Sequence, residues 1–510
     1  MAAGAAMIGT AGPEGAMPRL RAGAFPRPAT ATASGGRVLT WVTAAYFAAV
    51  LLPLTVSLGG LSLTGVRILL LAVTLPLFVQ LVTGRYGRLI ATDWLLLAHV
   101  AVMGVTLMFT SPELAVTQAG SLGIEIYGSY LLGRAWVRTP DEFARLARWV
   151  VALVLLALPF AVVETMTGRP LLLEILRAVP GTSTNETVDA GQRIGLNRVQ
   201  LTFPHPIHFG VFCATSFPLA MVAMRARMRR IRRLAIGALC AATALLSLSS
   251  GGLLAIAFQI ALIGWATLTR AVPARWRVLV GLAVIAYVAV DLASNRSPIQ
   301  VFMTYATFSP HTAYWRALIF EHGLQNVWNS PWVGIGFNDW ERPGWMHTDS
   351  VDNYWLLLAM RHGVFGFLTM AAAWILLIAR AAGRPLPAGG EVRMQRLGYV
   401  FVMLGLIFSF ATVHAWNSIH AFAFLLLGAG AWFGTAPDAL LEDGRGAPPA
   451  GPAGPPRLPG ATRAVEPPRH VPTPAPDPVP APRPARADAA GSPRAEARHS
   501  RFAPVHRRRT

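Results

Sequence analysis

The chain has 510 residues, of which 54% are hydrophobic and only 13% charged. Soluble domains carry about 25% charged residues, so an ordinary water-soluble enzyme is excluded, as is disorder through most of the chain. The net charge of +20 does not point to nucleic acid, because the basic residues, all arginine, punctuate long apolar runs. The two cysteines, Cys213 and Cys240, fall in separate apolar runs and make neither a disulfide scaffold nor a zinc site. The expected class is an all-α polytopic membrane protein.

Residues 1–37 read as a disordered cytoplasmic N-terminus. The first 36 hold no apolar stretch long enough for a signal peptide, so the first span is expected to be retained. A spanning helix needs about 20 mostly apolar residues. About twelve stretches qualify: 38–57, 61–83, 90–110, 114–133, 149–166, 205–224, 234–249, 251–269, 277–294, 362–380, 397–414 and 418–435. The fourth is the weakest, because it holds Gln118 and Glu125. Cytoplasmic loops attract arginine. With the N-terminus inside, the inner loops hold Arg85 and Arg88; Arg134, Arg138, Arg145 and Arg148; six arginines between 225 and 233; Arg270, Arg275 and Arg277; and Arg380, Arg384, Arg393 and Arg396. The four short outer connections hold none. Both termini are then cytoplasmic.

The transmembrane domain is expected over 38–435, with two long outer loops at about 167–203 and 295–351. No internal repeat is visible. Residues 436–510 hold 18 of the 39 prolines and 12 arginines. They read as a disordered Pro/Ala/Arg-rich cytoplasmic tail, loosely drawn to anionic membrane lipid.

Three outer segments carry the chemistry. The first runs from Arg193 through Arg198 to Pro204-His205-Pro206-Ile-His208. His205 and His208 could share a helix face, at an interface or at a metal; no HExxH pattern and no carboxylate partner supports the metal. The second runs from Tyr314-Trp315-Arg316 to Pro331-Trp332-Val-Gly334-Ile-Gly336, with a surface helix over 313–328 followed by a turn. Arg316 could pair with Glu321 or a lipid headgroup. The third runs from His347 through Asp349, Ser350, Asp352 and Asn353 to Trp355, Gly363 and Gly366. Asp352 or Ser350 could cap the helix beginning near 353, and Gly363 and Gly366 could break one helix and seat the next span. Six of the fifteen Trp lie between 315 and 355, more than an aromatic belt needs. Trp faces also stack on sugar rings.

Over residues 38–435 these features resemble the O-antigen ligase and O-antigen polymerase superfamily of bacterial inner-membrane glycosyltransferases. The resemblance rests on the twelve-span layout, the long loop before the tenth span, Arg316 with the Pro331–Gly336 run, and Asn353 followed after nine residues by Gly363-Val-Phe-Gly366. The ligase pattern places a His before that Asn; here the position is Asp352. The resemblance implies transfer of a glycan from undecaprenyl pyrophosphate to a sugar hydroxyl of an acceptor glycan or glycolipid at the periplasmic face, with no cofactor and no metal. It leaves ligase and polymerase open. Arg198 and Arg316 occupy positions resembling the family's essential arginines. Without a metal, fixed cations must stabilise the leaving pyrophosphate, and the always-charged planar fork of arginine suits this. The long outer loops offer Arg169, Arg177, Arg193, Arg198, Arg296, Arg316 and Arg342. The base is Asp352 by position or His347 by chemistry. Arg193, His205, Trp315, Asn353 and Trp355 are the expected substrate contacts. The alternative is a transporter or flippase of lipid-linked glycans, for which Arg67, His99 and Glu125 would be the ionisable residues within spans.

Overall fold

The computed structural model describes residues 33–438, apart from 59–60, 296–297, 299–300, 302–309 and 388–389. The expected tail beyond Asp438, most of the N-terminal segment and Arg296 lie outside the described residues. Helices dominate. In chain order they are α1 (Ala33–Leu51), α2 (Gly65–Val82), α3 (Ala91–Thr110), α4 (Pro112–Gly123), α5 (Ser129–Trp136), α6 (Pro140–Thr167), α7 (Leu171–Arg177), α8 (Pro206–Pro218), α9 (Arg230–Leu245), α10 (Ser250–Leu268), α11 (Arg275–Ala293), α12 (Pro310–Asn329), α13 (Tyr354–Gly383), α14 (Glu391–Phe410), α15 (Asn417–Ala429) and α16 (Ala431–Thr435). Among the described residues, nine helices are long and apolar enough to cross a membrane. This is an all-α polytopic membrane protein, as its composition dictates.

Three of the expected spans fall short of that standard. The apolar part of α1 is Arg37–Leu51. The stretch around Gln118 and Glu125 is interrupted by a π-helical turn, Ile124–Gly128, between α4 and α5. Helix α9 has 16 residues and opens with Arg230, Arg232 and Arg233; at 1.5 Å per residue that is roughly 24 Å, against a hydrocarbon core of about 30 Å. The facing ends of the first two expected spans are strands instead: Thr55–Leu58 (β1) pairs antiparallel with Leu61–Thr64 (β2). Their sequences alternate polar and apolar residues, a strand period rather than a helical one. Helix α6 starts nine residues before its apolar run, because Thr139 caps it by accepting from the Glu142 N–H and Pro140 sits in its first turn.

Helix α13 runs along α3, α15 along α5, and α8 against α9 and α10. Trp136, Trp374, Tyr46 and Tyr130 fill the core. Arg134, expected in an inner loop, is instead buried in the last turn of α5. It pairs with Asp93 of α3 at 2.8 Å and donates to the Arg88 carbonyl. Helix α11 contributes no buried residue. Its first turns rest on the bundle through Trp276 against Phe401, and farther along the helix an apolar groove of about 810 Å³ opens against α12 and α13.

Candidate active site

Two loop segments and the start of α13 bring the expected arginines together. Gln192–Arg193 (β3) pairs with Leu196–Asn197 (β4). The connecting Ile194 and Gly195 both have positive φ, the backbone of a tight hairpin turn. Arg193 thus sits at the hairpin tip, with Arg198 one residue past its second strand. The Glu164 carboxylate of α6 accepts from the Gln200 and Leu201 N–H groups, and Thr165 donates to the Asn197 carbonyl, so the segment is anchored on both sides of Arg198. Arg193 donates to the Leu248 carbonyl at 2.8 Å. Arg198 makes one long bond, 3.3 Å to the Ala190 carbonyl, and its Nε has no partner. Burial, and then the Arg193 charge, holds the Arg198 guanidinium down to about 10. His205 precedes α8 as its N-cap, Nδ1 accepting from the Ile207 N–H. Burial and the charges of Arg198 and Arg193 push its imidazole down to about 4.

Arg316 enters from α12. It is only 6% exposed, and among the described residues its Nε and Nη1 have no hydrogen-bond partner. Burial holds its guanidinium below the usual arginine range; the Asp352 carboxylate acts against this, and Arg193 adds to it. Arg316 therefore feels both Asp352 and the hairpin arginine, and it does not pair with Glu321. Asp352 does not cap α13, because Asn353 does, its Oδ1 accepting from the Leu356 N–H at 3.1 Å. Asp352 is half-buried and, among the described residues, accepts one 3.3 Å bond, from the Ser350 hydroxyl.

The Pro331–Gly336 run fixes α12 relative to α13. At Gly363 (φ 65°, ψ −174°) the backbone of α13 leaves helical geometry. The Ile335 and Gly336 N–H groups then donate to the Met360 and Arg361 carbonyls, and the Val364 N–H donates to the Pro331 carbonyl. A Cβ at Gly334 would lie 2.5 Å from the Arg361 backbone, and one at Gly363 would lie 2.6 Å from the Pro331 carbonyl oxygen. Both glycines have positive φ, so two of the motif's glycines are explained by close backbone approach at strained dihedrals.

Other expected residues lie elsewhere. His347 is exposed and lines a separate hollow with Asp339, Arg342, Asp349 and Arg361; neither Arg316 nor Asp352 lines it. Trp315 packs on Trp345, ring centres 5.9 Å apart. The Trp355 N–H donates to the Ile407 carbonyl and its ring meets Trp374 edge-on, so Trp355 is built into the bundle with one face on the apolar groove. Arg169 pairs with Glu174, Arg342 with Asp339, and Arg177 with the Asn185 carbonyl and Thr187. Of the loop arginines in the described residues, Arg193 is the one whose charge is felt by both Arg198 and Arg316. His208 Nε2 lies 3.0 Å from the His414 carbonyl. Among the described residues no group of three or more His, Cys, Asp or Glu is placed to hold a metal ion.

A second polar region was not legible as a unit in the sequence. Arg67, His99, Glu125, Arg361, His362, His414 and His420 line one cavity among the helices. The sequence marks Arg67, His99 and Glu125 as ionisable residues within spans and sets Arg361 beside His362, but nothing in the spacing joins those two groups to each other or to His414 and His420.

A polytopic helical membrane protein with clustered arginines and a carboxylate at the head of a long helix is thereby defined. Residues 235–371 match the family model described as O-antigen ligase. The matched segment contains α12, Arg316, Asp352 and the clamp at Gly363, and it supports the O-antigen ligase and polymerase superfamily for this chain. The match supports a glycosyl-transfer role in surface polysaccharide biosynthesis. No curated protein matches the chain.

Proposed function

We propose that the protein transfers a glycan from undecaprenyl pyrophosphate to a sugar hydroxyl of an acceptor glycan or glycolipid on the periplasmic face of the bacterial inner membrane. The observation that carries this is Arg316: a buried guanidinium with two unpartnered nitrogens, facing a half-buried carboxylate and flanked by Arg193. Burying an unpaired cation is costly, and such strain is retained where an anion is to be received. The apolar groove between α11, α12 and α13 reaches Asn353, next to Asp352, and would take the polyprenyl chain. Arg198 and Arg193 would share the pyrophosphate with Arg316. His205, neutral at pH 7, would donate no charge but could hydrogen-bond a phosphate oxygen through Nε2.

In the reaction, Asp352 takes the proton of the acceptor hydroxyl as its oxygen attacks the anomeric carbon of the donor. The bond from that carbon to the pyrophosphate oxygen breaks, and the electron pair leaves with the pyrophosphate. Charge that grows on the leaving group is met by preorganised arginine forks, the kind of term worth about 2.7–4 kcal/mol per donor. Arg-rich connections would face the cytoplasm, as would both termini, and the tail beyond 435 would be dispensable for chemistry.

The test is purified protein in lipid vesicles with EDTA, a lipid-linked glycan donor and an acceptor, and no energy source. Product glycan covalently joined to the acceptor supports the reading. Donor that crosses the bilayer unjoined supports the flippase alternative and overturns it.

A further inference from the structure

The cavity among the helices lies on the other face of α13 from the apolar groove. Tyr354, Leu357, Leu358 and Arg361 face the cavity, whereas Trp355, Leu356 and Ala359 face the groove. Asp352 stands two residues before the start of α13, next to its N-cap Asn353, where the two faces begin. The cavity has a volume of about 210 Å³, below the 300–1,000 Å³ of common ligand sites, so it suits one ring rather than an oligomer.

Three of its buried polar atoms have no hydrogen-bond partner among the described residues: His99 Nε2, Glu125 Oε2 and His420 Nδ1. His99 Nδ1 lies 3.0 Å from the Gly366 carbonyl and must donate to it, which leaves the unpartnered Nε2 as an acceptor. Glu125 is placed by the π turn, and its Oε1 accepts from Arg67 Nε at 2.7 Å. Its Oε2 has no hydrogen-bond partner and lies 3.9 Å from His420 Nδ1, which is also unpartnered. His99, Glu125 and His420 are all at least nine-tenths buried. Arg67 and Glu125 neutralise one another. Arg361 is different: it also borders the hollow that holds Asp339 and Asp349, but its guanidinium rests 4.5 Å over the Phe337 ring and among the described residues it forms no ion pair. His414, held down to about 3 by burial and by the Arg361 charge, is neutral at pH 7. One cation therefore stands unmatched beside several acceptors and the aromatic walls of Phe337 and Trp416.

This is the complement of a sugar ring that bears a carboxylate. Its hydroxyls would donate to Glu125 Oε2 and His99 Nε2, its carboxylate would pair with the Arg361 fork, and its C–H face would lie on an aromatic ring. We infer that the cavity is the subsite for a uronate-type sugar of the acceptor glycan. The inference rests on the transfer reaction proposed above, with donor lipid on one face of α13 and acceptor on the other.

The experiment measures binding, with no donor present, so it does not depend on turnover. Full-length protein in nanodiscs is titrated with methyl glucuronide and with methyl glucoside. The glucuronide is expected to bind at least about tenfold more tightly, equivalent to about 1.4 kcal/mol. Arg361→Gln erases the preference. Arg361→Lys, which keeps the charge and loses the fork, retains a reduced one. Equal binding of both probes, no saturable binding of either, or a preference that survives Arg361→Gln overturns the inference. Glucuronide preference in a protein that joins no glycan to any acceptor would instead fail the transfer reading and leave the subsite standing.

Discussion

Arg316 sets stability against function, and its replacement should separate the two. The side chain is 6% exposed, with Nε and Nη1 unpartnered, and its charge is opposed by Arg193 while Asp352 alone favours it. Replacing buried ionic groups by apolar residues of similar volume is often stabilising by about 1–4 kcal/mol. Arg316→Met should therefore raise the melting temperature of the purified protein, by a few degrees, since about 1 kcal/mol moves a domain of 150–250 residues by roughly 2–4 °C and a larger chain by less. The same change should lower transfer about 100- to 1,000-fold, the usual loss for one electrostatic donor. Inorganic pyrophosphate at about 100 times its Kd should stabilise the unmutated protein by about 2.7 kcal/mol and the variant much less. The assay is a thermal melt with and without pyrophosphate beside a transfer assay at matched protein levels. A variant that melts lower, still responds to pyrophosphate and still transfers would refute the reasoning.

Asp352→Asn should abolish most transfer while leaving the melting temperature nearly unchanged, whereas Asn353→Ala should lower stability by about 1 kcal/mol through the lost cap; the reverse pattern would return Asp352 to a structural role. Asp352→His, which supplies an imidazole where the ligase pattern has one, should retain measurable activity. Gly334→Ala should lose folded protein or activity, because its Cβ would lie 2.5 Å from the Arg361 backbone at a φ of +70°; detergent-extracted yield and melting temperature report this. Burial and the Arg193 charge weaken the hold of the Arg198 guanidinium on its proton, so pyrophosphate affinity should fall at strongly alkaline pH rather than near neutrality. His205, at about 4, contributes no change between pH 5 and 8, and an Arg198→Met control should show a smaller alkaline fall than the unmutated protein.

Span positions were legible because about 20 apolar residues can hardly be anything else. The ends were not: Thr139 and Pro140 start α6 well before its apolar run, and the strands at 55–64 interrupt what reads as continuous hydrophobicity. The Arg316, Arg198 and Asp352 positions came from motif order, and the glycines at 363 and 366 pointed to a helix break, but the hairpin turn at Ile194–Gly195 and the Pro331–Gly336 backbone that the break clamps against come only from the fold. The sequence offered both Asp352 and Asn353 as neighbours of a helix start, and only the backbone shows that Asn353 takes the cap and leaves Asp352 its carboxylate. The polar cavity is the extreme case. Glu125, His99 and Arg361 are far apart along the chain, so helix packing alone makes them one site.

The central claim, that lipid pyrophosphate leaves as the acceptor oxygen attacks, is tested most directly by product stoichiometry. Purified protein with radiolabelled lipid-linked donor in EDTA should release one undecaprenyl pyrophosphate for each glycosidic bond formed, and Arg316→Lys should release almost none. Bond formation without released lipid pyrophosphate, release of undecaprenyl monophosphate instead, or full activity in Arg316→Lys would contradict it.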